Sequence, residues 1–137
     1  RYDAFRLVDV ALTGDARGAI RTLRGLKSEA VQPPVLLWAL AREVRLLANL
    51  KRDIAGGASV NTALNQRGVW RSRQTLMQSA LKRLSGRDLA KMQALTFQAD
   101  GSSKGFLTGA PWDLMETLVV VMAQGSGVPA SKTERLK

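Results

Sequence analysis

Two adjacent prolines, Pro33 and Pro34, precede a stretch from Val35 to Ala55 that holds neither glycine nor proline. Proline is favoured in the first turn of a helix, where its missing N–H is not needed. The spacing predicts a helix from Pro33 to about Ile54, ending before Gly56-Gly57. At about 100° per residue, Leu36, Leu37, Leu40, Val44, Leu47, Ala48 and Leu50 cover a wide arc of its surface. A helix that apolar is central and packed on two sides, so the rest of the chain has to wrap around it. Glu43 is the misfit, because its angle falls inside the apolar arc. An unpaired buried carboxylate is costly, so a basic partner from another helix is expected, with Arg71 and Arg73 as the candidates.

The flanking sequence is helical in the same way. Asp3 to Leu12 places Phe5, Val8 and Leu12 at helical spacing, and Gly14 ends that segment. Asp15 is an N-cap for a second helix with Ala16, Ala19, Ile20, Leu23 and Leu26 on one face. Residues 28–32 read as a loop. Ser59 caps a short helix to about Asn65, and Val69 to Leu84 forms the next, with Leu76, Met77, Ala80, Leu81 and Leu84 inward. Ser85 with Asp88 three residues later reads as a capping box, with Asp in place of Glu. The helix it starts is expected to reach about Ala99, followed by a loop over 100–110. Pro111 and Trp112 then open a last helix carrying Leu114, Leu118, Val121 and Met122. With no convincing strand, the fold class is all-α: a single bundle of about six to seven helices over residues 1–124. Residues 125–137 are rich in Gly, Ser, Pro and charge, and read as a disordered tail.

Composition narrows the chemistry. The 137 residues include no Cys and no His. That excludes disulfides, Cys or His zinc sites, and Ser-His or Cys-His nucleophiles. Lys plus Arg is 21 against 11 Asp plus Glu, a net charge of +10 that favours an anionic partner such as nucleic acid. The surplus is diffuse, since residues 1–68 and 69–137 each carry +5. The longest uninterrupted apolar run, Val35 to Ala41, is far short of the roughly 20 residues a membrane helix needs, so no membrane contact is expected. A start at Arg1 without a leader reads as a piece of a longer, cytoplasmic protein.

The motifs that suggest catalysis lack their context. Gly125-Ser-Gly-Val-Pro-Ala130 matches G-x-G-x-x-A, but too little chain follows for the required helix and acidic residue. Ser79 and Lys82 match S-x-x-K without the companion elements of a penicillin-binding site. Asp113 and Glu116 share a face, yet they sit in a helix's first turn, where negative charge is stabilising anyway. The segment Gly101 to Gly105 is no P-loop. No catalytic, metal or cofactor residue is assigned, and none of these groups is expected.

The feature with functional promise is a stripe. Trp38, Arg42, Arg45 and Arg52 fall on one side of the third helix, away from the apolar arc. They fit an interface anchor or a phosphate-contacting face, and equally a solvated Arg face with Trp38 tucked under a neighbouring helix. Trp70, Trp112, Phe97 and Phe106 are expected to be packing residues.

The order of these features resembles one family, the C-terminal domain of the delta subunit of the bacterial DNA polymerase III clamp loader. The residues that carry the likeness run from Leu7-Val-Asp-Val-Ala-Leu-Thr-Gly14-Asp15 and Ala19 to Leu26, through Pro34-Val-Leu-Leu-Trp-Ala-Leu-Ala-Arg-Glu-Val-Arg45-Leu-Leu. They continue with Lys51-Arg52, Val69-Trp70-Arg71, Ala80 to Leu84, Ala99-Asp100 with Lys104, and Pro111-Trp112-Asp-Leu114. Residues 2–123 are covered, and Val31-Gln32-Pro33 departs from the family's frequent Gly before Pro. The resemblance implies a helical collar element that packs beside the matching domains of the gamma/tau and delta-prime subunits in a five-membered ring. It implies that the ring holds AAA+ modules around primer-template DNA, so contact of this domain with DNA is possible but indirect. It also implies that the delta subunit opens the sliding clamp through an N-terminal module outside this chain, and that it does not itself hydrolyse ATP. On that reading the domain is not an enzyme, although its parent belongs to the polymerase holoenzyme. The alternative is a basic helical domain that binds nucleic acid directly.

Overall fold

A computed structural model describes residues 3–125. Asp3 accepts a 2.7 Å hydrogen bond from the Arg6 N–H and starts α1 (Ala4–Leu12). Asp15 does the same for the Gly18 N–H at 2.8 Å and starts α2 (Ala16–Ser28). Both satisfy an N–H that has no partner within its helix. Pro33 and Pro34 open α3 (Pro33–Ala55), and Ser59 caps α4 (Val60–Gln66). Then come α5 (Arg71–Arg83), α6 (Gly86–Ser103) and α7 (Pro111–Gln124). The Ser85/Asp88 capping box closes in both directions, at 3.0 and 2.9 Å. Among the described residues there are seven helices and no strand, so the fold is all-α. None of these helices is long and apolar enough to cross a membrane.

The third helix is the axis of the bundle. It touches α1, α4, α5, α6 and α7, while α2 is held by α1 and α7. Leu36, Leu37, Leu40, Val44, Leu47 and Leu50 of α3 are all buried, meeting Leu7 and Leu12 from α1, Met92 from α6 and Leu118 and Met122 from α7 in one core. Hydrophobic burial on this scale is the main force holding the bundle together.

Three helices are also tied at their ends by one cation. The Arg83 guanidinium, at the end of α5, donates through Nη2 to the carbonyl of Leu12 at 2.9 Å and of Met122 at 3.2 Å. These carbonyls belong to the last turns of α1 and α7, where no N–H of the same helix can reach them and where positive charge is favoured. Desolvation lowers the pKa of Arg83 from its ordinary value, yet the group remains a cation at any physiological pH.

Two boundaries differ from the sequence reading, the first being the start of α5, which lies at Arg71 rather than Val69 because Trp70 is extended at the N-cap. Helix α6 continues past Ala99 to Ser103, shortening the following loop to 104–110. The reason lies in Gly101, whose carbonyl accepts from the N–H groups of Phe106 at 2.8 Å and Leu107 at 3.2 Å. The loop folds back so closely that a Cβ on Gly101 would stand 2.6 Å from the Leu107 side chain. Glycine there permits the return rather than ending the helix. The remainder of the expected tail, residues 126–137, lies outside the described residues, and with it most of the G-x-G-x-x-A match.

Replacing Arg83 by Met is expected to lower stability by about 2 kcal/mol, because it strands two buried helix-end carbonyls. Urea unfolding followed by circular dichroism measures this, and an unchanged midpoint would show that water serves these carbonyls equally well.

Candidate interaction surface

The outer face of α3 is formed by default, because the opposite faces are consumed by five neighbours. Trp38 stands 58% exposed, so no helix covers it. Its ring meets the edge of Phe5 from α1, with centroids 6.3 Å apart and planes at 86°. The Arg42 guanidinium lies over the same indole at 5.7 Å, a cation–π contact. Arg45 is exposed one turn further on. Arg52, also exposed, donates to Asn49 Oδ1 at 3.0 Å. The four stripe residues therefore share one solvent-facing ridge, with Phe5 and the 56% exposed Val35 beside Trp38.

Glu43, on the same helix, is 7% exposed and turned inward. Arg73 of α5 reaches it at 3.1 Å and reaches Asp9 of α1 at 2.9 Å with the same Nη2. Burial works against the charge on Arg73, but the two carboxylates outweigh it and raise its pKa above the ordinary value. Arg71, the other candidate partner, does not join the pair. It is exposed at the start of α5, two residues or about 200° around the helix from Arg73. Asp9 had no sequence signal as a third member, since nothing in its own helix points to residue 73.

Beyond the stripe a groove of about 620 Å³ opens between α1, α3 and the start of α5. Val8, Ala39 and Val69 line its base, and Phe5 and Trp70 stand at its sides. Trp70 is 77% exposed, which corrects its expected place in the core. It occupies the N-cap position of α5, with extended ψ near 142°, ahead of the helical residues whose side chains turn into the core. Phe97 and Phe106 are also corrected, being exposed by 73% and 80%. Phe97 lies about 140° and 160° around α6 from buried Met92 and Ala99, and Phe106 is in the 104–110 loop. Trp112 is half-buried, with Lys27 5.8 Å from its ring.

At the groove's edge Arg67 grips Asp53 with two hydrogen bonds, at 2.8 and 2.9 Å. That hydrogen bonding, reinforced by the charges of Arg67 and Arg52, holds the Asp53 carboxyl below the usual range. It also raises the pKa of Arg67. Elsewhere, Glu116 pairs with Arg24 at 3.0 Å rather than working with Asp113. Among the described residues no three Asp, Glu, Cys or His side chains gather as a metal site.

A surface with an aromatic and arginine ridge over a closed core can serve binding. Comparison with known proteins shows the family. The family model described as processivity clamp loader gamma complex DNA pol III C-term matches residues 4–127. The chain belongs to this family. It is 31% identical over 121 residues to DNA polymerase III subunit delta of Escherichia coli (strain K12), covering 88% of this chain and 35% of that protein. Its identity to DNA polymerase III subunit delta of Haemophilus influenzae (strain ATCC 51907 / DSM 11121 / KW20 / Rd) is 32% over 92 residues, 61% of this chain and 27% of that protein. The chain thus spans about a third of the length of the curated relatives it matches. The ridge, the groove and the Glu43–Arg73–Asp9 cluster all lie inside the part of this clamp-loader domain that the family model matches.

Two outcomes are expected. Arg73→Met should destabilise the domain by about 3 kcal/mol in urea, because it leaves Glu43 buried without a counter-charge, and Glu43→Met added to it should recover most of the loss. Equal loss in single and double variants would show that packing, not charge, dominates. Asp53 is held below its unfolded pKa, so its contribution is present at neutral pH and disappears as the pH falls through its folded value. The melting temperature of Asp53→Asn should lie below that of the parent at pH 7 and meet it under strongly acid conditions.

Proposed function

We propose that residues 1–124 form the collar domain of a DNA polymerase III delta subunit and bind the gamma/tau and delta-prime subunits. The reading is carried by one observation. A domain of the clamp-loader family leaves Trp38, Phe5 and three arginines exposed along its central helix. Trp and Arg are over-represented where protein interfaces gain their energy. The role is assembly, with no catalysis of its own and no cofactor. Contact with the sliding clamp belongs to an N-terminal module of the subunit. Work on primed chromosomal DNA would place the domain in the cytoplasm.

A second reading, direct contact with nucleic acid, is favoured by Trp70, which stands 77% exposed between Arg67 and Arg71 in a chain of net charge +10. An exposed indole beside cations offers a stacking platform for an unpaired base. Fluorescence titration with primer-template DNA at several salt concentrations decides it, since phosphate contacts give affinity that falls steeply with log salt.

For the assembly reading, the chain should co-elute from gel filtration with purified collar domains of the partner subunits at micromolar concentration. Trp38→Ala should weaken the complex by at least about tenfold, a typical effect of truncating an aromatic anchor, with an unchanged circular dichroism spectrum. Absence of co-elution, or full retention by the variant, would overturn it.

A further inference from the structure

We propose that the groove between α1, α3 and the start of α5 receives one large apolar side chain from an acidic amphipathic helix of a partner protein. The proposal deepens the assembly reading, on which it rests for the use of this face, by naming the chemistry of what binds there.

Shape supplies the first argument. The groove holds about 620 Å³, has Val8, Ala39 and Val69 at its base and is flanked by the rings of Phe5 and Trp70. An aliphatic base with aromatic sides suits Leu, Met, Phe or Trp. Of the charged groups that also line it, Asp9 and Glu43 are bonded to Arg73, and Arg67 to Asp53, so a nucleobase seated on the aliphatic base would have to compete for bonds already made. The ridge beside the groove fixes the form of the ligand. Val35, Trp38, Arg42 and Arg45 recur at three- and four-residue spacing on α3. They span about 15 Å, the length of a three-turn helix laid alongside.

Charge supplies the second. The acidic groups at this face are already engaged: Asp9 and Glu43 by Arg73, and Asp53 by Arg67. Arg42 lines the groove but is held only by the Trp38 ring, while Arg45 stands exposed one turn further along α3 and Arg71 stands exposed next to Trp70 in the chain. The rim is therefore cationic in excess, and its complement is a helix with carboxylates flanking its apolar anchor. Such an arrangement steers encounter and rejects basic helices.

The test uses the 137-residue chain and a fluorescein-labelled, fourteen-residue helical peptide. The peptide carries Leu and Trp at i and i+4 and Glu at the flanking positions. A second peptide has every Glu replaced by Lys, and a third probe is an oligo-dT. Fluorescence anisotropy at low salt is expected to show the acidic peptide binding at least about tenfold tighter than the Lys version. Arg42→Glu and Trp70→Ala should each weaken it by about fivefold or more. Both residues are exposed, and circular dichroism checks that each variant folds. Equal binding of the two peptides, or none, would overturn the proposal. Displacement of the acidic peptide by oligo-dT would assign the groove to nucleic acid instead. A dimer in sedimentation that the peptide does not dissociate would assign it to a second copy. No clamp-loader subunit enters the titration, so its failure leaves the co-elution result standing, and a failed co-elution leaves the titration standing.

Discussion

A carboxylate on the buried side of the central helix has to be met by a cation, and much of this domain's geometry follows from that requirement. Glu43 lies on the helix that five others touch, and it is almost wholly removed from solvent. Arg73 meets it from α5 and reaches on to Asp9 of α1, so one guanidinium fixes three helices at a common point. A hydrophobic core alone tolerates sliding and repacking, whereas a buried ion pair with set distances rewards one register. The same contact holds α1 and the start of α5 against α3 and against each other. The groove with its aromatic sides is the space left between them.

The second fixed point lies at the other end of α5. Arg83 joins the C-terminal ends of α1 and α7 to α5 through their free carbonyls. Helix α5 is short and mostly polar, with only Met77, Ala80 and Leu81 buried, so apolar burial alone gives it a weak hold. Two arginines, ten residues apart and facing inward, position it instead. One is matched by carboxylates and the other by helix-end carbonyls. With α5 fixed in this way, Trp70 at its N-cap is set facing outward beside the groove.

Much of the fold was legible in the sequence, because caps and helical periodicity are local signals. The two prolines, the Asp15 and Ser59 N-caps and the Ser85/Asp88 box occur where the residues indicate. The wide apolar arc of α3 announced a central helix, and the misplaced Glu43 announced a basic partner. What local spacing lacks is the relation between helices. Arg71 and Arg73 are equivalent as text, and only the rotation of α5 against α3 selects one of them. Asp9 joins the cluster from 34 positions before Glu43, with nothing in its own segment to mark it. Aromatic residues mislead for a related reason. Trp70, Phe97 and Phe106 have the hydrophobicity of core residues, but an N-cap, the outer side of α6 and a return loop place them in solvent. The groove is a tertiary feature with sides from three segments, and no window of sequence contains it.

The evenness of the charge along the chain concealed how unevenly it is spent in space. Each half of the sequence carries +5, which argues against a basic patch. In the folded domain the carboxylates near the ridge are taken up one by one. Arg73 holds Glu43 and Asp9, and Arg67 holds Asp53. Those contacts set two arginines against three carboxylates, and Arg42, Arg45 and Arg71 still leave the region cationic. A charge that looks diffuse by position thus becomes local through pairing. Its location next to Trp38 and Trp70 separates two kinds of use. Cations on a flat polar face suit phosphates of any sequence, whereas cations bordering an apolar cleft favour a ligand that brings both a side chain to bury and carboxylates to place at its edge.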